Sequence, residues 1–410
     1  APLSTQSGVF VGDGTMTINL PDFAGDVAIK FKARGAIGQT QRIASIDSGG
    51  KLVTFYLDAG MQPQARIYNP SNGQTTTQDI SAIAMFTGRV NDMVAFTYYD
   101  PGLRTVFTDL AVTDDRGNLW LFVGILDSGS WAVRNLTAEL GVPGITGDLT
   151  YYTPSWGTLH ISGIDARGHS VNYYYQPGSG SGWAFADLTD AIGGQPFTRG
   201  LAGFVTPWST ITSGEVNDAL NIAGLNDDGH IIVYYWAPGY SWSSFNMTTT
   251  FNGLALTGQL GAFVTSWGAM NIVGQTEAGA IYAYWWSPVL GPGNWQTVDL
   301  SATSGQGPVA GAVETTFSDD GGLNMFGVEE DGDLIIIRWT PTNQVWTATN
   351  ITTASGGPKV RFPVAGSAVG NFLQVAARET QEQGDTLALF RLNITAGTWT
   401  PETTTIIPSL

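Results

Sequence analysis

Three histidines, His160, His169 and His230, are the whole imidazole supply of this sequence, so acid–base or metal chemistry of the histidine kind has to be built around them. His169 and His230 each follow a glycine at the same point of an internal repeat. A metal shared between them is not expected, because equivalent points of neighbouring repeats stand further apart than the roughly 4 Å that a common ion demands. Acidic residues cluster at Asp114-Asp115, Asp227-Asp228, Asp319-Asp320 and along Glu329-Glu330-Asp331-Gly332-Asp333. A hard divalent cation wants several oxygens from one loop, which makes Glu330, Asp331 and Asp333 the calcium candidates. The plainer reading is preferred: most of these acids fall at one recurring turn, where Asp and Asn bond their own backbone. No cofactor is expected. The HExxH, GxSxG, P-loop and SxxK signatures are absent. A glycosidase-like pair of carboxylates would stand apart from the repeat, and these acids do not.

The aromatic residues say more. Trp156, Trp208 and Trp267 recur at one point of the repeat, and Trp236, Tyr240 and Trp286 at or beside another. If the two points share a face, these six candidate ligand-binding side chains form a ring of π surfaces with Asn, Asp and Thr between them. Such platforms suit sugars, whose C–H faces stack on the rings while their hydroxyls are hydrogen-bonded. The plainer reading is that the rings only seal gaps between neighbouring sheets.

The repeat that sets these positions is plain in 220–238 (LNIAGLNDDGHIIVYYWAP) and 270–288 (MNIVGQTEAGAIYAYWWSP), which align without a gap. Copies recur at 159–177 and 323–341, more faintly at 108–123, and weakly at 42–57 and 372–392. Aligned turn glycines are Gly50, Gly117, Gly168, Gly229, Gly279, Gly332 and Gly384, each between two runs of alternating apolar residues, as a hairpin with φ > 0 requires. A third run begins with Trp and ends, after three residues, in Asx-aliphatic-hydroxyl. Examples are Trp183 with Asp187-Leu188-Thr189 and Trp242 with Asn246-Met247-Thr248. The expected role is a short outer strand closed by bonds from Asx and hydroxyl groups to local backbone. A fourth run, as in 200–208 and 258–267, is rich in Gly and Ala and suits a crowded centre. Four strands per unit, seven times, with no helical segment, predicts an all-β, seven-bladed β-propeller of four-stranded antiparallel blades.

Repeat limits are placed at 26–90, 91–145, 146–198, 199–256, 257–306, 307–360 and 361–410. The runs 26–34 and 91–100 serve as innermost strands of the first two blades. Residues 1–25 form an N-terminal segment expected to close the ring with a strand. Six blades plus a small N-terminal β-domain is the alternative.

Composition narrows the function classes. Of 410 residues 43% are hydrophobic and only 12% charged, and 34 acidic residues face 17 basic ones, for a net charge of −17. That charge repels nucleic acid and anionic membrane surfaces. With no cysteine there is no disulfide, thiolate nucleophile or thiolate metal site, which suits a bacterial secreted protein. No run is apolar enough to cross a membrane as a helix. Asn135, Asn246, Asn350 and Asn393 open Asn-x-Thr triplets, three of them inside the Trp-led ending, where capping explains them without a glycan.

The rhythm of an aliphatic strand, an Asp or Asn before a turn glycine, an aromatic strand and a Trp-led strand resembles the repeats of bacterial seven-bladed propeller lectins and of propeller modules in large secreted surface proteins. The resemblance spans roughly 26–410 and is architectural. The Trp-x-x-x-Asx-aliphatic-Ser/Thr ending departs from the lectin pattern, so no individual sugar-binding residue carries over. The expectation is a non-catalytic binding module, secreted or at the cell surface, recognising glycans or an extracellular protein, free or within a larger assembly. The alternatives are a structural envelope component and a carbohydrate-active enzyme.

Overall fold

The computed structural model describes residues 42–100, 102–209, 216–291, 293–379 and 385–407. Among them are seven four-stranded antiparallel sheets, spanning 43–79, 90–135, 145–187, 199–246, 257–299, 310–350 and 360–407, and in each the strands pair in chain order. We number these blades one to seven. First strands of successive blades lie side by side, and Val360–Val369 of blade seven packs on Ile43–Ser48 of blade one. The ring therefore closes as a seven-bladed β-propeller, and the six-bladed alternative falls.

Blade one draws its strands from 43–79 and blade seven from 360–407, so among the described residues the ring closes by packing of complete blades. The segment 1–25 and the run 26–34 lie outside the described residues. Gly50 is not equivalent to the other turn glycines: it joins the first strand to the second, Lys51–Leu57, whereas Gly117, Gly168, Gly229, Gly279 and Gly332 join second to third. The corresponding turn of blade one is 58–62, where the residue with positive φ is Met61, at 62°. The Asx signature survives there: the Asp58 carboxylate accepts from the amides of Gly60 (2.8 Å) and Gln62 (3.0 Å), as Asp165 does from Arg167 (2.8 Å) and His169 (2.9 Å). Gly229 shows why glycine is otherwise preferred. Its φ is 76°, and a Cβ there would sit 2.5 Å from the carbonyl oxygen of Leu256, on the segment that leads to the next blade.

The absence of helix expected from the repeat is also corrected. Six helices of about one turn follow the fourth strands of blades one to six: Ile80–Ala84, Leu136–Leu140, Leu188–Ile192, Met247–Thr250, Leu300–Ser304 and Ile351–Ser355. They are what the Asx-aliphatic-hydroxyl ending encodes. The Asx residue is the N-cap, its side chain accepting from the amide three residues on, as Asp299 does from Ala302 (2.8 Å) and Asn350 from Thr353 (2.8 Å). The aliphatic residue is buried, and the hydroxyl accepts the first amide of the third strand, as Thr248 does from Ile231 (2.9 Å). Four or five residues are too few to register a 3.6-residue period. The sequon residues Asn135, Asn246 and Asn350 are all caps of this kind. Asp299→Ala is expected to lower stability by about 1 kcal/mol in denaturant titration, with Asp299→Asn close to wild type; equal midpoints for all three proteins would refute the capping role.

The same hydroxyls hold neighbouring blades together. Tyr173, Tyr234 and Tyr284, in the third strands of blades three, four and five, place their phenol oxygens 3.1, 3.1 and 3.3 Å from Thr137, Thr189 and Thr248 of the preceding blade. Each phenol donates onward to a backbone carbonyl, of Pro143 (3.1 Å), Gln195 (2.6 Å) and Leu254 (2.6 Å). Nearer the axis, acids do similar work: Asp92 accepts from Leu149 N (3.2 Å), Asp148 from Gly200 N and Leu201 N, and Glu314 from Gly366 N (3.4 Å), each on the first strand of the next blade.

Candidate ligand-binding face

In a four-stranded meander the first-to-second and third-to-fourth turns lie at the same end, so each blade contributes both to one face of the propeller. Trp156 sits in the first-to-second turn of blade three, between Ile145–Tyr152 and Leu159–Asp165, and is 38% exposed. Its ring meets Trp236, at the end of the third strand of blade four, edge-on at 6.1 Å and 75°. Trp236 lies in turn 6.5 Å from Trp242, and Tyr240, in the intervening turn, is 76% exposed. Ser155 N donates to the carboxylate of Asp218, fixing the blade-three turn on blade four. Beside the rings, Gln176 receives the Thr158 hydroxyl (2.6 Å) and its amide reaches the Trp156 carbonyl (3.4 Å).

Two blades on, the arrangement repeats. Trp267, 41% exposed in the first-to-second turn of blade five, lies 5.8 Å from Trp339 and 6.1 Å from Phe317, both of blade six. The rule is that a turn tryptophan of one blade leans on a third-strand tryptophan of the next. Trp339 was missed as a site residue although its register carries the signal: Leu323 pairs with Trp339 as Leu220 pairs with Trp236 and Met270 with Trp286. Trp286 is half-buried, with its indole N–H donating to Gly291 O at 2.7 Å. Trp208 ends the first strand of blade four, and its side chain lies outside the described residues. The structure therefore joins Trp156 to Trp236, places Tyr240 beside that pair, and gives Trp267 a partner that was not among the six. Sealing and exposure coexist, since each pair closes a seam with part of a ring left to solvent.

The calcium candidates are rearranged. Carboxylate oxygens of Glu329, Asp331 and Asp333 approach within 4.8 Å of one another, and Glu330 is not in the group. Lys359 places its ammonium 2.6 Å from Asp331 and 3.0 Å from Asp333, so a lysine supplies the positive charge, and its hydrogen bond holds the Asp331 carboxyl below its ordinary value. Asn350 donates to Asp333 (2.7 Å) and Gln306 to Glu329 (2.8 Å), which marks an ion-paired turn network. His169 and His230 each bond inside their own blade, to Asp187 (3.0 Å) and Asn246 (3.2 Å). Asp165, His169 and Asp187 also draw close, with Arg167 at 2.8 Å from Asp165 and 2.6 Å from Asp187 as their counter-ion. His160 is stacked on Tyr152 at 4.8 Å, and burial pushes its imidazole down to about 4.

No family model and no curated protein matches the sequence. Solved structures do match. A lectin from Burkholderia pseudomallei superposes with a TM-score of 0.63 at 14% identity, over 90% of this chain and 99% of its own. AofleA from Arthrobotrys oligospora gives 0.51 at 12% identity, over 77% and 88%. A lectin of Aleuria aurantia, solved with α-methyl-L-fucoside, gives 0.46 at 14% identity, over 77% and 95%. At such identities the likeness to the Burkholderia lectin and to AofleA is one of fold, and it agrees with the architecture-level resemblance to propeller lectins.

Proposed function

We propose that this propeller is a non-catalytic carbohydrate-binding protein, secreted or held at the surface of a bacterial cell, that takes glycans on the face carrying the paired tryptophans. The carrying observation is the recurrence of a partly exposed indole braced by a second indole of the next blade, edge-on at Trp156–Trp236 and tilted by 52° at Trp267–Trp339. A braced ring presents a fixed apolar plane to the C–H face of a sugar at little entropic cost, while the Gln176–Thr158 pair offers hydrogen-bonding groups at its edge. That the Burkholderia neighbour is a lectin supports the same reading. Repetition around the ring raises avidity for multivalent surfaces above that of any one site.

A glycan array with purified protein tests this. Saturable binding to one sugar class is the expected result, with Trp156→Ala and Trp267→Ala each weakening single-site affinity about tenfold while leaving the circular dichroism spectrum unchanged. Silence across the array sinks the lectin reading, and release of reducing sugar from a polysaccharide overturns the non-catalytic one.

A further inference from the structure

The first strands of all seven blades enclose an axial cavity of ≈ 260 Å³, whose wall includes Ser45, Thr150, Tyr151, Gln259, Glu314 and Thr315 among Ala, Leu, Met and Gly. We propose that this cavity is a second ligand site, distinct from the aromatic face, that binds one small organic monocation of the primary-ammonium type with Glu314 as its counter-charge.

Among the described residues, Glu314 is the one member of the cavity wall with a formal charge to offer, and nothing cationic lines the wall with it. On the strands packed against its own, Thr257–Val264, Met270–Gln275, Leu323–Val328 and Val360–Val369, the only charged residue is Arg361, five positions from Gly366. The carboxylate is also under-used. Its hydrogen bond is a long one, 3.4 Å from Gly366 N to Oε1, whereas Asp148 takes two amides of the next blade. A carboxylate accepts about four hydrogen bonds, so most of its capacity is left over. One carboxylate does not meet the six to eight oxygens a calcium ion requires. An ammonium group asks for less: one anion and two further acceptors, and the same wall holds Thr315 and Gln259, whose side chains carry acceptor oxygens.

Proton linkage follows from the same geometry. Burial pushes the Glu314 carboxyl up to about 8, with only the Gly366 amide opposing. At pH 7 the carboxyl of the empty site is therefore mostly protonated, and a cation that needs the carboxylate must expel that proton. Tyr151, the other titratable group of the wall, is pushed up to about 12 and stays neutral over this range.

The test is calorimetric titration with n-propylammonium chloride at pH 7 and 9, in buffers of different ionisation enthalpy, with 1-propanol as the neutral probe. Expected are one site per chain, release of close to one proton at pH 7 and little at pH 9, and an affinity about tenfold higher at pH 9. Glu314→Gln mimics the protonated form present at pH 7, so it is expected to keep the wild-type unfolding midpoint there and to lose both binding and proton release. No saturable binding, equal binding of 1-propanol, or binding and proton release that persist in Glu314→Gln would each overturn the assignment. Glycan binding is expected to be unchanged in Glu314→Gln, which keeps the two sites separable.

Discussion

Tyr234→Ala is expected to destabilise the propeller by about 3–5 kcal/mol, and Tyr234→Phe by about 1–3 kcal/mol. Tyr234 is completely buried between blades three and four, with its ring 4.6 Å from Phe197, so truncation to alanine opens a cavity where two sheets meet. The phenylalanine variant isolates the hydroxyl. Ser170 N donates to Thr189 Oγ1 at 2.9 Å, that hydroxyl lies 3.1 Å from the phenol oxygen, and the phenol donates to Gln195 O at 2.6 Å. Removing one oxygen leaves a carbonyl short of its donor and a buried threonine short of its acceptor. Blades two and six carry Phe122 and Ile337 at this position, so the fold tolerates an apolar residue where the rest of the chain of bonds is built without one. The prediction is therefore specific: Thr189→Val combined with Tyr234→Phe costs less than the sum of the two single changes, because the double variant strands fewer groups. Urea titration of the four proteins decides it. A Tyr234→Phe protein with the wild-type midpoint would show that the phenol is a spectator.

The blade count was legible because a hairpin that needs positive φ and docks closely on the next segment leaves little choice but glycine, as at Gly168, Gly229 and Gly279. Where Met61 adopts that conformation instead, the alignment slipped by one strand and took Gly50 for the equivalent turn. The Trp-led ending was legible as a motif, but its helical turn was not, since a cap and one turn create no periodicity. Of the two aromatic pairs, Trp156–Trp236 has both members among the residues the sequence singles out. Alignment puts Trp236 and Trp286 in register, yet which indole meets which depends on the offset between blades, so the pairing of Trp267 with Trp339 had no one-dimensional trace. Glu314 was invisible for a related reason. A single acid in a strand of small residues means nothing until seven such strands converge around it.

The pH dependence of stability supplies the other large effect, and it centres on Asp109. Asn221, Asn271 and Asn324 occupy the equivalent place in blades four, five and six, and each donates its amide to the carbonyl two residues earlier, at 3.0, 3.5 and 3.1 Å. Blade two carries aspartate there, buried in the strand Thr105–Asp114, and among the described residues neither carboxylate oxygen has a well-formed hydrogen bond. Burial raises its carboxyl well above the ordinary value, with only partial relief from the nearby Gly124 amide. The unfolded chain gives up this proton near pH 3.9, while the folded protein keeps it to higher pH, so stability falls as pH rises between the two values. Asp109→Asn has no proton to lose, and its new amide faces the Phe107 carbonyl in the manner of its three counterparts. The variant is expected to match wild type within a small offset below pH 4. Above that its advantage grows by up to about tenfold in the folding constant per pH unit, levelling off once the folded carboxyl ionises. Denaturant titrations of both proteins from pH 4 to 8 measure this directly. A difference that stays constant across the range would mean that Asp109 is ionised in the fold and finds its counter-charge there.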